Sequence, residues 1–255
     1  MYSALLSIKT ADGDCDSYVA YPQGNNQQHP LVIFYMDAIG LRPQIYSMVK
    51  RVAEQGYFVV APNLFYRTKN VPIVDYETLL KPEKMPELFK QVLAMAAQLT
   101  PDQARQDMAD LVQFAESQKQ ANTNHIGLVG YCMGGAVAIR NAAYFPDRVR
   151  AAASFHAGRL ATDQPTSPHL LAKHIKAALY VAHADHDQSM TSDQIAVFEK
   201  AMSTGGVRLK SELYREAKHG FTMEDLPVYS ESADARHWSS MFDLFASELN
   251  KNGRV

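Results

Sequence analysis

Residues 130–135 read Gly-Tyr-Cys-Met-Gly-Gly, and this stretch decides how the rest of the chain is interpreted. An apolar run at 125–129 precedes it, and a helix-like run at 136–139 follows it. A strand that turns sharply into a helix strains the residue at the tip of the turn, so the residues around that tip must be small. Gly130 and Gly134 meet this need on either side of Cys132. The stretch therefore predicts that Cys132 is a nucleophile.

This strand–turn–helix pattern is the nucleophile elbow of the α/β-hydrolase fold, with Cys in place of the usual Ser. The simpler alternative is a Gly-rich turn that carries an ordinary buried cysteine, since free cysteines often behave as small hydrophobes. Strands and helical stretches alternate along the chain, which favours a mostly parallel, doubly wound sheet flanked by helices. The sequence contains no internal repeat or linker-like break, so residues 1–255 are expected to form a single domain.

The composition argues against several classes of partner. Of the 255 residues, 47% are hydrophobic, the formal net charge is −2, and the basic residues are scattered, so we expect neither a nucleic-acid nor a membrane partner. The two cysteines, Cys15 and Cys132, fit neither a disulfide framework nor zinc spacing. The first residues lack the pattern of a signal peptide, and no apolar run approaches the ~18 residues of a membrane span. A cytoplasmic location is therefore expected, while the oligomeric state is left undefined.

The secondary-structure pattern places the elbow in the middle of the chain. An initial hairpin and six further strands are expected at residues 5–9, 17–21, 31–35, 57–61, 125–129, 151–155, 178–182 and 209–214. Thr100 and Thr191 are expected to cap helices, because a glutamine three residues later completes a capping box in each case. The closing helix is expected at 230–250.

A cysteine nucleophile needs a base and a group that orients the base. In this fold the chain order is nucleophile, acid and histidine, each on a loop after a strand. His219 follows the strand at 209–214, whereas Asp185 and Asp187 both follow the strand at 178–182. Periodicity does not choose between the two aspartates. Chain order therefore predicts a triad of Cys132, His219 and one of these acids.

The cluster of histidines and aspartates at 183–187 has a second interpretation. Imidazole and carboxylate groups also bind divalent metals, so the cluster could be a metal site. A polar loop at a solvated rim explains the same residues more simply. We expect neither a metal nor a cofactor.

An oxyanion hole needs two backbone N–H groups. One is expected from Met133, directly after the nucleophile, and the other from Ala38 on the loop after the strand at 31–35.

With these residues in place, the chain resembles the dienelactone hydrolase (carboxymethylenebutenolidase) family from about residue 15 to residue 249. The resemblance rests on the motifs at 37–40, 55–57, 62–67, 130–135 and 217–221. The family acid usually sits in a Gly-x-x-Asp loop, and Ala184 takes the place of that glycine here. The resemblance thus implies that Asp187 is the acid and that Asp185 is an ordinary loop residue.

The resemblance also points to differences in the substrate pocket. Asp37 matches a family glutamate that contacts the resting thiol, but it is one methylene shorter. Arg67 matches the first of two arginines that bind the substrate carboxylate, although a surface ion pair would explain Arg67 equally well. Met223 stands where the second arginine would be, and a thioether cannot replace a bidentate guanidinium. Hydrolase chemistry is therefore better supported than dienelactone as the substrate.

Three further residues could line the pocket. His156 ends the strand at 151–155, and Tyr131 and Met133 flank the nucleophile. Each of them could equally be a packed structural residue.

The leading hypothesis is a hydrolase of a small ester or lactone that uses Cys132, His219 and Asp187. The alternative is a catalytically slack relative, a small-molecule binding or redox-responsive protein that acts through Cys132.

Overall fold

The computed structural model describes residues 1–24, 27–79 and 81–250. It divides into two compact units, Met1–Asn124 and His125–Val255. The single domain expected from the sequence stays a prediction.

In the part of the first unit that the structure describes, the strands are β1 (Tyr2–Thr10), β2 (Gly13–Tyr21), β3 (His29–Tyr35) and β4 (Phe58–Pro62). They lie in the order β1-β2-β4-β3, with the β1–β2 hairpin antiparallel and β3 parallel to β4. All five residues of β4 are buried, and so are six of the seven in β3. The lack of alternation in these apolar runs therefore reflects burial on both faces of the sheet.

Among the described residues of this unit there are also four α-helices and one 3₁₀ helix. They are α1 (Pro43–Glu54), α2 (Tyr76–Leu79), the 3₁₀ helix Pro82–Lys84, α3 (Met85–Ala96) and α4 (Pro101–Glu116). At the start of α4 the Gln103 N–H donates to the Thr100 hydroxyl, and the Gln103 side chain accepts from the Thr100 N–H. The predicted capping box is confirmed.

The second unit carries β5 (Ala121–Tyr131, which begins in the first unit), β6 (Val149–Phe155), β7 (Ala178–His186) and β8 (Leu209–Lys218). These four strands are parallel and lie in that order. The helices are α5 (Met133–Tyr144), the 3₁₀ helix Pro168–His174, α6 (Ser192–Thr204) and α7 (Glu231–Leu249). Thr191 and Gln194 form the predicted capping box of α6.

The strands β7 and β8 extend past the C-terminal ends that the sequence pattern indicates. β7 and β8 continue to His186 and Lys218, which pair with each other beyond an irregularity at Ala184. Because parallel strands end at one edge of the sheet, the residues that follow β7 and β8 lie side by side. This pairing brings Asp187 and His219 to the same place.

Helix α7 packs an apolar side against the strands of its unit. Trp238, Met241, Phe245 and Leu249 are buried on this side. Within the part of the chain that the structure describes, no helix has both the length and the apolar character needed to cross a membrane.

Candidate active site

The elbow has the strained backbone that the sequence pattern predicts. Cys132 has φ 53° and ψ −122°, a sparsely populated region that costs on the order of 1–3 kcal/mol in a residue with a side chain. A Cβ on Gly130 would lie 2.0 Å from the Gly134 carbonyl oxygen, and a Cβ on Gly135 would lie 2.4 Å from Ser154 Oγ. Only glycine therefore fits either position without a shift of the backbone or of α5.

The acid–histidine pair is formed by Asp187. His219 Nδ1 donates to Asp187 Oδ2 at 2.6 Å, while Asp187 Oδ1 accepts from the N–H and the hydroxyl of Ser189. Asp185 instead accepts from the Glu216 N–H at 3.1 Å. The hydrogen bonds thus place Asp187, and not Asp185, against His219. The sequence periodicity did not distinguish these two aspartates.

The charge of His219 is set by its two neighbours. Burial alone lowers the pKa of His219, but hydrogen bonds to Asp187 and Cys132 raise it to about 10. Burial raises the pKa of Asp187, yet the bonds from His219 and Ser189 bring it below its usual value. About a third of the His219 side chain is exposed (34%), so water reaches the pair. At neutral pH the arrangement favours an imidazolium between a carboxylate and the thiol.

His156 lies directly against His219. Their ring centroids are 5.3 Å apart in an edge-to-face contact, and His156 Nε2 is 2.8 Å from the Thr222 hydroxyl. Burial, together with the neighbouring imidazoles of His219 and His237, holds the pKa of His156 well below its usual range. His156 is therefore neutral, and like Cys132 it has a left-handed φ, here 41°. The structure brings it to the histidine of the predicted triad, and its pocket role stays a prediction.

The two residues that flank Cys132 have different surroundings. The Tyr131 side chain is completely buried, and its hydroxyl is 2.8 Å from His237 Nε2. Met133 is the first residue of α5, so its N–H has no acceptor one turn earlier in the helix. An unpaired N–H at a helix N-terminus suits a developing oxyanion.

The loop after β3 is held by a buried ion pair. Arg42 donates to both oxygens of Asp37, at 2.7 and 2.9 Å, and both side chains are about 5% exposed (5% and 6%). The Ile39 N–H also donates to Asp37, and the Gly40 N–H donates to the Asp37 carbonyl. The buried Ala38 N–H has no acceptor among the described residues. Within the first unit, Asp37 thus stabilises the turn that follows β3.

Arg67 is engaged by two carboxylates of its own unit. It donates to both oxygens of Asp107, at 3.0 and 2.6 Å, and to Asp12 at 2.8 Å, while its guanidinium lies over the Tyr66 ring. Its positive charge is therefore already compensated. The ion-pair alternative describes what is seen around this side chain.

Two other residues singled out from the sequence are fully buried. Met223 is 0% exposed, and its N–H closes a turn onto the Gly220 carbonyl. Burial raises the pKa of the Cys15 thiol to about 12. Cys15 is therefore a poorly reactive thiol.

The histidine and aspartate side chains at 183–187 have separate partners and do not form one site. His183 is buried with its Nε2 on Ser211 Oγ, whereas Asp187 turns to His219. Among the described residues, no group of three or more His, Cys, Asp or Glu side chains is arranged to hold a metal ion.

Asp234 and His237 were not predicted from the sequence. They lie three residues apart on α7, are buried, and form a hydrogen-bonded pair with Nδ1 and Oδ1 3.0 Å apart. Polar residues on an amphipathic helix usually face solvent, so the pattern gave no signal for this pair.

Comparison with known proteins identifies a family that this chain resembles over most of its length. The model of the dienelactone hydrolase family matches residues 15–249. A Salmonella typhi protein named "Putative carboxymethylenebutenolidase" is 23% identical over 256 residues, which cover 98% of this chain and 89% of that protein. A Yersinia pestis protein of the same name is 26% identical over 245 residues, which cover 94% and 86%.

Solved structures show the same fold. The chain superposes on a structure described as a "Putative Dienelactone Hydrolase" from Klebsiella pneumoniae with a TM-score of 0.84 and 21% identity, over 96% of this chain and 98% of that one. A dienelactone hydrolase-like promiscuous phosphotriesterase from metagenomic libraries gives a TM-score of 0.74 at 19% identity, over 97% and 99%. Structural similarity at this level of identity establishes the α/β-hydrolase fold, and the match to the family extends over most of the chain. The chain therefore belongs to the dienelactone hydrolase family and is a hydrolase of the ester and lactone class.

Proposed function

We propose that the protein hydrolyses small, neutral carboxylic esters or lactones with Cys132 as the nucleophile, His219 as the proton carrier and Asp187 as its orienting acid. The observation that carries the proposal is the Asp187–His219 hydrogen bond of 2.6 Å, next to a cysteine in a left-handed backbone conformation. A cationic imidazole is the counter-ion that a thiolate nucleophile needs.

In the first half of the reaction the thiolate of Cys132 attacks the carbonyl carbon, and the π electrons move to the oxygen. The Met133 N–H stabilises this oxyanion, and chain order nominates the Ala38 N–H as a second donor. One such donor contributes about 3–4 kcal/mol where it has been measured. Collapse of the intermediate breaks the bond to the alkoxide, which takes the proton of His219.

In the second half His219 accepts a proton from water, and the resulting hydroxide attacks the thioester. The C–S bond breaks, the acid leaves, and the thiolate–imidazolium pair is restored. Asp187 keeps the Nδ1 proton of His219 in place throughout, so that only Nε2 exchanges protons. These steps use no metal or cofactor.

The substrate preference follows from charge. A substrate carboxylate needs a free guanidinium, but Arg67 is bound to Asp107 and Asp12, and Met223 offers a thioether where the family has a second arginine. A charge-assisted hydrogen bond contributes about 1.5–3 kcal/mol. Its loss therefore weakens the binding of anionic substrates and leaves that of neutral substrates unchanged. Neutral or apolar acyl groups avoid this penalty. Asp37 is already paired with Arg42. This pairing likewise supports the proposal that the Cys132 thiol is activated differently from the thiol in the rest of the family.

Substitution of the nucleophile tests the proposal. Cys132→Ala should abolish hydrolysis of para-nitrophenyl acetate while leaving the circular dichroism spectrum unchanged, because the side chain is small. Cys132→Ser should retain part of the activity, since the elbow geometry suits a hydroxyl. Cys15→Ala is the matched control and should retain wild-type kcat. Wild-type rates in purified Cys132→Ala would remove Cys132 from the mechanism.

A wild-type protein inactive on neutral and anionic esters alike would instead favour the catalytically slack relative.

The cytoplasmic location is kept as a prediction, which cell fractionation tests.

A further inference from the structure

A second carboxylate–imidazole–hydroxyl chain lies within the unit that carries the nucleophile. Asp234 Oδ1 accepts from His237 Nδ1 at 3.0 Å, and His237 Nε2 is 2.8 Å from the Tyr131 hydroxyl. With Nδ1 as the donor, the Nε2 of a neutral imidazole is an acceptor, so the Tyr131 hydroxyl donates to it. The order of groups matches Asp187, His219 and Cys132.

This buried chain is closed to substrate. Tyr131 and His237 are both 0% exposed, and Asp234 is 4% exposed. The second oxygen of Asp234 accepts from Trp238 Nε1 at 3.1 Å and from the Tyr229 hydroxyl at 3.3 Å. A buried carboxylate with three donors is fully hydrogen-bonded and fixed in place. The chain therefore acts through its neighbours and not on a ligand.

Its neighbours are the reacting residues. Tyr131 is the last residue of β5 and precedes Cys132, and its ring lies 6.0 Å from the His156 ring. His156 in turn contacts the His219 ring at 5.3 Å. A shift of Tyr131 would thus reach both the nucleophile and its proton carrier.

The strained conformation of Cys132 requires support on both sides. On the C-terminal side, α5 begins at Met133 and packs against β6 through Gly135. On the N-terminal side, the Tyr131 hydroxyl is anchored to α7 through His237. Strain of this kind persists only where the surroundings determine it.

We propose that Asp234 and His237 are positioning residues that hold the nucleophile elbow in its reactive geometry through the Tyr131 hydroxyl. The inference rests on the proposed nucleophilic role of Cys132. Small displacements of a reacting atom slow the chemical step far more than they weaken substrate binding. The signature of this role is therefore a loss of kcat with little change in KM.

Removal of one hydroxyl group tests the role. Tyr131→Phe should lower kcat for para-nitrophenyl acetate about tenfold or more, with KM within about twofold of wild type. Tyr180→Phe is the matched control, because it removes a hydroxyl bonded to Glu212 and Tyr214 on a strand that does not carry the nucleophile. This control should lose stability without losing kcat. Wild-type kcat in folded Tyr131→Phe would overturn the inference.

A second variant covers the case in which Tyr131→Phe does not fold. Asp234→Asn should give the same split between kcat and KM, and the double variant should be no slower than the slower single variant, because both changes break one chain. Additive losses in kcat, or changes in KM alone, would contradict the role.

The rate of Cys132 alkylation by iodoacetamide adds a readout that does not depend on turnover. Cys15 contributes little to that rate, because burial raises its pKa to about 12. Slower alkylation in folded Tyr131→Phe than in Tyr180→Phe supports the inference, and equal rates oppose it.

The two variants distinguish a failure of the proposed function from a failure of the positioning role. An active Cys132→Ala variant would refute the proposed function whatever Tyr131→Phe does. An inactive Cys132→Ala variant beside a fully active Tyr131→Phe variant would refute only the positioning role.

Discussion

At the scale of single residues, the site is explained by hydrogen-bond partners that the sequence could not assign. Asp185 and Asp187 are two residues apart on one loop, and only the pairing of His186 with Lys218 decides which of them meets His219. The order of nucleophile, acid and histidine was readable because each residue follows a strand. The partners of Asp37 and Arg67 were not readable, because they depend on how turns and loops fold back.

The choice between the aspartates gives a kinetic prediction. Asp187→Asn should lower kcat by at least about a hundredfold, because an amide can hold His219 in the wrong tautomer. Asp185→Asn is the matched control and should change kcat by less than about threefold, since among the described residues Asp185 accepts only from the backbone N–H of Glu216. The measurement is kcat with para-nitrophenyl acetate. A crippled Asp185 variant beside an active Asp187 variant would reverse the assignment.

The charge of the pocket gives a prediction on specificity. Met223→Arg should shift the ratio of kcat/KM toward a carboxylated lactone over its neutral analogue, mainly through KM if the contact is equal in the ground and transition states. Met223→Leu keeps the size without the charge and should leave the ratio unchanged. Because Met223 is fully buried, circular dichroism must first show that the arginine variant folds.

The result for the wild-type enzyme is equally informative. A strong preference of the wild type for the carboxylated lactone would contradict the account of specificity. It would mean that another basic residue binds the carboxylate.

At the scale of elements, local rules predicted most of the secondary structure. The capping boxes at Thr100 and Thr191 and the end of α1 before Gly56 follow from residues close in sequence. The ends of β7 and β8 did not follow, because their last residues pair across the sheet and are polar. Asp234 and His237 were missed, because polar residues on an amphipathic helix usually face solvent.

The contact between α5 and β6 gives a prediction on stability. Gly135→Ala should destabilise the protein by about 1–3 kcal/mol, because the new Cβ would lie 2.4 Å from Ser154 Oγ and 2.7 Å from the Ala157 Cβ. Ser154 Oγ has no hydrogen-bond partner among the described residues, so Ser154→Ala alone should be mild. Urea denaturation measures both effects. The double variant should recover part of the loss, and full stability of Gly135→Ala would show that α5 can move away from β6 at no cost.

At the scale of the whole molecule, the fold class and the family were predictable, since the elbow motif and the order of strands and helices are properties of the complete chain. The substrate is harder to predict, because specificity depends on the few charges that remain free once the ion pairs have formed. The resemblance matches Arg67 to the family's first arginine, yet in the folded chain Asp12 and Asp107 already bind Arg67. A resemblance in motifs thus indicates the class of hydrolase more readily than the substrate.

In the proposed mechanism, catalysis passes through a thioester on Cys132. A slowly deacylating neutral ester should add one acyl group to the wild-type protein, seen by rapid acid quench and intact mass spectrometry. Peptide mapping should place that group on Cys132, and Cys132→Ala should show no acylation. Steady turnover with acyl on another residue, or undiminished turnover in Cys132→Ala, would contradict the account.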